Sequence, residues 1–113
     1  MELAVQLDEQ DGWTVARASG DLDLTTAPRL REQLVQVVMD GRPRIVLDLE
    51  GVDFIDSAGL GVLVGGLKRA KDGEGELVLV ATGRSVIRVL ELTGLTRVFD
   101  IHSSRAAALG AHE

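Results

Sequence analysis

The order of the apolar runs narrows the fold more than any other feature of this chain. RIVLDLE (44–50) and LVLVA (77–81) both read as strands. The first sets Ile45, Leu47 and Leu49 on one face. The second has the unbroken apolar character of a strand buried on both sides. Between them lies a segment with helical spacing, Leu60, Leu63, Val64 and Leu67, so the two strands are joined by a helical crossover and not by a hairpin. Upstream, ELAVQL (2–7) and WTVARAS (13–19) flank Asp11-Gly12, a pair that signals a tight hairpin between apolar runs. The loop GDLDLTTAP (20–28) leads into a helix that Thr25 or Thr26 can cap, with Pro28 in its first turn. Ala27, Leu30, Leu34, Val37 and Val38 face inward, and Asp40-Gly41 closes the helix. A third helix is expected at 85–93, with Ser85 as its cap and Gly94 past its end; a short strand follows at 97–101 and a last helix at 103–111. The fold class is α/β: a mixed, partly parallel sheet of about five strands with about four helices packed on it. Nothing suggests a second domain within 1–113.

In such a sheet, sites form at the carboxyl ends of parallel strands. DFIDSAGLG (53–61) follows one strand and GDLDLTT (20–26) another. If those strands are neighbours, the two loops share a rim.

Composition removes several classes of function. The 113 residues include no cysteine, which excludes disulfides and thiolate metal sites. His102 and His112 alone do not make a zinc site, so no metal and no cofactor are expected. A net charge of −6 argues against binding to nucleic acid by phosphate neutralisation. MELAVQLDEQ is acidic where a signal peptide is basic. The most apolar run, residues 58–67, is about half of a bilayer span. The expectation is a soluble, cytoplasmic protein that does not engage membrane, and a monomer.

The segment DFIDSAGLGVLVGGLKRAK (53–71) places Gly59, Gly61, Gly65 and Gly66 inside a helix. Each costs about 0.5–1 kcal/mol relative to alanine. Asp56 or Ser57 serves as its N-cap. On a helical wheel Leu60, Leu63, Val64 and Leu67 form the inward stripe. Ala58, Gly61, Val62 and Gly65 then point the other way, ahead of Lys68 and Arg69. That outward face is small and uncharged, which suits close approach of another surface, either a partner or another part of this chain.

Enzyme motifs are missing. GLGVLVG has Val64 where a dinucleotide fingerprint needs glycine, and there is no G-K-[ST]. Ser57 is not in G-x-S-x-G, and His102 is the one candidate base for it. Asp53 and Asp56 oppose a free phosphate at the helix start. An exposed serine there is nonetheless a good acceptor for covalent phosphate, which adds about −1.5 to −2 charges. Close to Asp53 and Asp56, and to Asp21 and Asp23 if the two loops share a rim, that charge meets like charges, and a partner covering it must also desolvate it.

The pieces GDLDLTTAP, IVLDLEGVDFIDSAGLGVLVGGLKRAK and LTGLTRVFDIHSS, in this order, resemble the STAS-domain anti-sigma factor antagonists of bacteria over nearly the whole chain. The resemblance implies a binding protein without catalysis. Its unmodified form binds an anti-sigma factor, itself an ATP-dependent serine kinase, and so frees a sigma factor. The kinase phosphorylates the serine after the aspartate, here Ser57, and a PP2C-type phosphatase reverses this. The family's partner loop maps to Gly20, Asp21, Leu22 and Asp23, with Asp23 expected to meet a basic group. Thr25, Thr26, Asp56, Ala58, Gly59, Leu60, Gly61, Val62 and Gly65 complete the expected partner surface. Many relatives carry a second hydroxyl residue after the acceptor; Ala58 stands there, leaving Ser57 as the acceptor of the motif. The alternative is a STAS subunit of another assembly, such as a lipid-transport complex or a stress-sensing multimer, with a constitutive partner.

Overall fold

The structure, a computed structural model, describes residues 2–111. Five strands form one sheet in the order β1-β2-β3-β4-β5. β1 (Leu3–Gln10) and β2 (Trp13–Leu22) are antiparallel, while β3 (Arg44–Ile55), β4 (Glu76–Val80) and β5 (Ile101–His102) continue in parallel. Asp11 and Gly12 both take positive φ, 54° and 82°, the pair of left-handed residues that a two-residue hairpin turn demands.

Three helices fill the crossovers: α1 (Ala27–Met39), α2 (Ser57–Asp72) and α3 (Arg84–Leu92). Because each crossover advances one strand in the same direction, right-handed connections set all three helices on one face. Their apolar sides share a core there. Leu30 and Leu34 of α1, Leu63 and Ala70 of α2, and Val86 and Leu90 of α3 pack with Leu47, Leu49, Leu77 and Leu79 of the sheet. The opposite face is covered by α4 (Arg105–Ala111), whose Ala108 and Leu109 close over Trp13, Val15, Val46, Val78 and Val80. This is the mixed sheet with helices that the alternation of runs predicts.

Several boundaries differ from the sequence expectation. β3 runs through Ile55, so DFI is strand and not loop. It can do so because β2 also extends, pairing Asp21 with Phe54 and Leu22 with Ile55. Two register shifts lie on the way, and at each β3 carries one residue more than β2. Of residues 97–101 only Ile101 is strand, as the first residue of β5. Gly94, at φ 75°, reverses the chain into a 3-10 turn over Leu95–Arg97; the Asp100 carbonyl accepts the Leu79 amide at 2.9 Å, and Ile101 and His102 alone pair with β4 as a strand. The cap of α3 is Gly83, not Ser85; the Ser85 hydroxyl instead donates to the carbonyl of Asp53 at 3.0 Å.

Helix α2 is rotated relative to its predicted face. Val62, expected outward, is buried at 7% exposure, whereas Val64, expected inward, is 41% exposed and Leu60 half-buried. The inward stripe is Gly59, Val62, Leu63, Gly66 and Ala70. Leucine count misleads here because the glycines themselves face in, letting the helix lie close. A Cβ on Gly59 would stand 2.6 Å from the carbonyl oxygen of Leu22 and 2.8 Å from Ile55 Cγ1. One on Gly66 would press on Leu34 and Leu77, each at 3.1 Å. Gly61, by contrast, would meet nothing within 4 Å, and Gly65 only the flexible end of Arg69.

The two kinds of glycine therefore respond oppositely to alanine. Gly59→Ala is expected to lower stability by about 1–3 kcal/mol through overpacking. Gly61→Ala should raise it by about 0.5–1 kcal/mol through helix propensity. Urea unfolding of the two variants beside the parent reads both signs.

Candidate functional site

The carboxyl ends of β2, β3 and β4 meet at one rim, as the parallel pairing requires. The β2–α1 loop is built first. Asp23 Oδ1 accepts the Thr25 amide at 3.0 Å, the Thr26 amide at 3.2 Å and the Thr25 hydroxyl at 2.8 Å. The Asp23 amide donates to Thr26 Oγ1 at 2.9 Å, and that hydroxyl donates to the carbonyl of Asp21 at 2.7 Å. The exchange between Asp23 and Thr26 has the logic of a capping box. The carbonyl of Asp23 also accepts the amide of Ala27 at 2.7 Å. Asp23 thus caps the turn that enters α1, while the N-cap position of the helix itself is Thr26, one of the two residues the sequence suggests. The side chain of Thr26 makes no cap bond to α1.

The β3–α2 junction is held by Asp56. Its Oδ1 accepts the Gly59 amide at 3.0 Å, the N-cap bond of α2. Its Oδ2 accepts the Leu24 amide at 3.1 Å, across 32 residues of chain. The Asp56 amide donates to the carbonyl of Leu22 at 3.2 Å. One carboxylate therefore starts the helix and fastens the neighbouring loop to it. Ser57, the first residue of α2, stands exposed directly beyond this latch.

The third loop joins through three further donors. Glu50 accepts both the amide and the hydroxyl of Thr82, at 3.0 and 2.8 Å, and Ser85 reaches Asp53 as described. Asp21, Asp23, Asp53 and Asp56 lie on the two segments that meet at Ser57, and Glu50 adds a carboxylate on the side of the third loop. Asp23 is held below the ordinary carboxylate range, chiefly by the Thr25 hydroxyl, with the amides of Thr25 and Thr26 and the Thr26 hydroxyl adding to it against some desolvation.

The expected surface residues divide. Ser57, Thr25 and Gly61 are exposed, and Asp21, Asp23, Asp56, Ala58, Leu60 and Gly65 are half-buried at the rim or along α2. Thr26, Gly59 and Val62 are buried and do not offer a surface. Thr26 is used up in the loop's own hydrogen bonds, and the other two face the core. Two exposed apolar side chains were not anticipated: Leu24, 74% exposed, beside the Asp56 latch, and Phe54, 51% exposed, on the last turn of β3. Phe54 breaks the alternation between Val52 and Ile55, a sequence signal that the bulge explains. Leu24 had no such signal, as a leucine in a capping loop reads as core. His102 lies on β5, with β4 between it and β3, so the structure does not bring it to Ser57. Among the described residues no cluster of three or more His, Asp or Glu could hold a metal.

Comparison with known proteins gives a consistent picture. The STAS domain model matches residues 4–108. The chain is 33% identical over 102 residues to the anti-sigma-B factor antagonist of Staphylococcus aureus, covering 90% of this chain and 94% of that one. It superposes on the crystal structure of an anti-sigma factor antagonist from Mycobacterium paratuberculosis with a TM-score of 0.89 at 33% identity, over 96% and 92% of the two chains. The Bacillus cell fate determinant SpoIIAA, solved in its phosphorylated form, shares the fold at a TM-score of 0.75 and 21% identity, over 97% of this chain and 100% of that one.

Two measurements probe the rim. Asp56→Ala removes a cap worth about 0.5–2 kcal/mol and frees the loop, so hydrogen exchange should speed up at both the Gly59 and Leu24 amides. The Asp23 carboxyl, followed by NMR, should titrate below an ordinary aspartate, and Thr25→Val should raise its midpoint. Because its folded pKa is depressed, its contribution to stability is present above the unfolded pKa and is lost as pH falls through the folded one.

Proposed function

The chain belongs to the STAS domain family, and on that premise we propose that it is an anti-sigma factor antagonist switched by phosphorylation of Ser57. Its unmodified form docks the Ser57 rim and the outward side of α2 onto an anti-sigma factor, releasing the sigma factor. That anti-sigma factor is an ATP-dependent serine kinase, which modifies Ser57 and so ends the complex; a PP2C-type phosphatase restores the free hydroxyl. The use of ATP sets the cycle in the cytoplasm. This chain acts by binding alone.

One observation carries the reading: Ser57 is exposed at the first position of a helix whose cap, Asp56, also clamps the adjacent loop. The hydroxyl is accessible to a kinase, while its surroundings are fixed. Phosphate there adds about −1.5 to −2 charges. The amino end of α2 offsets part of this within the folded chain, because its free N–H groups and dipole favour negative charge. Asp53 and Asp56 oppose it. Within the chain the two effects oppose each other. Docking is another matter: a partner that covers Ser57 must strip water from a dianion, at several kcal/mol per buried ion.

Leu24 and Phe54 supply the apolar part of the surface and Gly61 and Gly65 its smooth part. Asp23 offers a carboxylate held in its ionised state, suited to a lysine or arginine of the kinase. The relatives named antagonists of anti-sigma factors span nearly the length of this chain, and SpoIIAA is a member of this fold that is known in a phosphorylated state.

The test is calorimetry of the anti-sigma factor against this chain in three forms. Unmodified chain and Ser57→Ala should bind alike. Enzymatically phosphorylated chain should bind at least about 100-fold more weakly, since each 1.4 kcal/mol is a factor of ten. Equal affinity of the phosphorylated and bare forms would refute the proposal.

A further inference from the structure

Helix α3 presents a face that the core does not use. Arg84, Arg88 and Leu92 follow one another at intervals of four along its outer side, and all three are exposed, Leu92 to 74%. Residues at this spacing line up on one ridge. Beside the ridge lies a cleft of about 440 Å³ lined by Thr82, Arg84, Ile87, Arg88 and Glu91. Among the described residues neither arginine takes part in an ion pair. Glu91 is the one carboxylate among the lining residues, and Glu50 is bonded to Thr82 at the edge of the cleft. Two unneutralised guanidinium groups on one turn of helix are notable in a chain of net charge −6.

The ridge is also close to the Ser57 rim. Ser85 touches the carbonyl of Asp53 at 3.0 Å. Asp53 lies four residues before Ser57, a reach of at most about 14 Å. A standard protein interface covers about 800 Å² per partner, roughly 30 Å across. A protein seated on the rim therefore extends over the start of α3.

We propose that the outer ridge of α3 is a second docking surface, which receives an acidic segment of the same protein that covers the Ser57 rim. The inference rests on reading that rim as a docking face. Charge complementarity selects the occupant. The rim carries Asp21, Asp23, Asp53 and Asp56 and calls for a basic patch, whereas Arg84 and Arg88 call for carboxylates, which guanidinium groups grip in paired hydrogen bonds. Ile87 and Leu92 offer apolar contact to the same segment. A surface with opposite charges at its two ends admits its partner in one orientation, because a partner turned end for end meets like charge at both.

Two experiments test this. In the first, ¹⁵N-labelled chain is titrated with hexaglutamate and, separately, hexalysine. Hexaglutamate should shift the resonances of residues 82–91 and the side chains of Arg84 and Arg88, and hexalysine those of the rim. Arg84→Glu with Arg88→Glu should abolish the first response and leave the second. If hexaglutamate leaves 82–91 unmoved, or gathers on Lys68, Arg69 and Lys71 instead, the ridge is not an acidic-segment site.

In the second, the anti-sigma factor that phosphorylates this chain is titrated with the same double variant. Its affinity should fall about tenfold at low salt, with the loss shrinking toward about 0.3 M salt as charges are screened. Arg84→Gln with Arg88→Gln should lose less than the charge reversal. An unchanged affinity overturns the proposal. The control is Ser57 phosphorylation of the parent chain: if that still blocks binding while the arginine variants bind normally, the ridge fails and the reading of the rim stands.

Discussion

A single carboxylate organises the rim at which β2 and β3 end. Asp56 caps α2 through Gly59 and holds the Leu24 amide of the neighbouring loop through its other oxygen. Each bond to a charged acceptor is worth about 1.5–3 kcal/mol. More important, the two share one rigid group, so the position of the loop and the start of the helix cannot vary independently. Asp23 secures the far side of the loop, and Ser85 and Glu50 bring in the third strand end. Ser57 sits beside a surface whose shape the chain itself fixes, and a fixed surface lowers the ordering cost of the docking proposed for it.

The glycines of α2 serve two opposed needs. On the inward side Gly59 and Gly66 let the helix settle against Leu22, Ile55, Leu34 and Leu77 without a Cβ in the way. On the outward side Gly61 and Gly65 leave the surface without bulk. A helix with four glycines in sixteen residues would be marginal alone; it is stable because its core side packs on α1 and the sheet. The flat outer side and the close inner packing come from the same residue type for different reasons, and neither alone accounts for all four.

Much of this was legible from the residues and their order. The Asp11-Gly12 hairpin, the crossovers and the shared rim follow from turn chemistry and from the alternation of strand and helix patterns. The exposed serine, Ser57, stands at a helix start as the sequence suggests. What was not legible depends on long-range pairing. The length of β3 is set by the extension of β2 beside it, and the bulges that expose Phe54 are a property of the pair. The rotation of α2 followed glycine burial, which a wheel weighted by leucine cannot see. Val62 and Val64 consequently exchanged sides. The role of Asp56 as a latch needed the loop to be in place, since its partner Leu24 is 32 residues away.

The proposed switch at Ser57 acts through charge at a fixed surface. Comparison of ¹H–¹⁵N spectra and hydrogen exchange for the Ser57-phosphorylated and bare chains addresses this directly. Shifts confined to residues 20–26, 53–61 and 82–85, with the Leu24 and Gly59 amides as protected as before, are the predicted result. Spectral change spread through the core of α1, β3 and β4, or loss of protection at those two amides, would mean that phosphate works by rearranging the fold, contradicting the account.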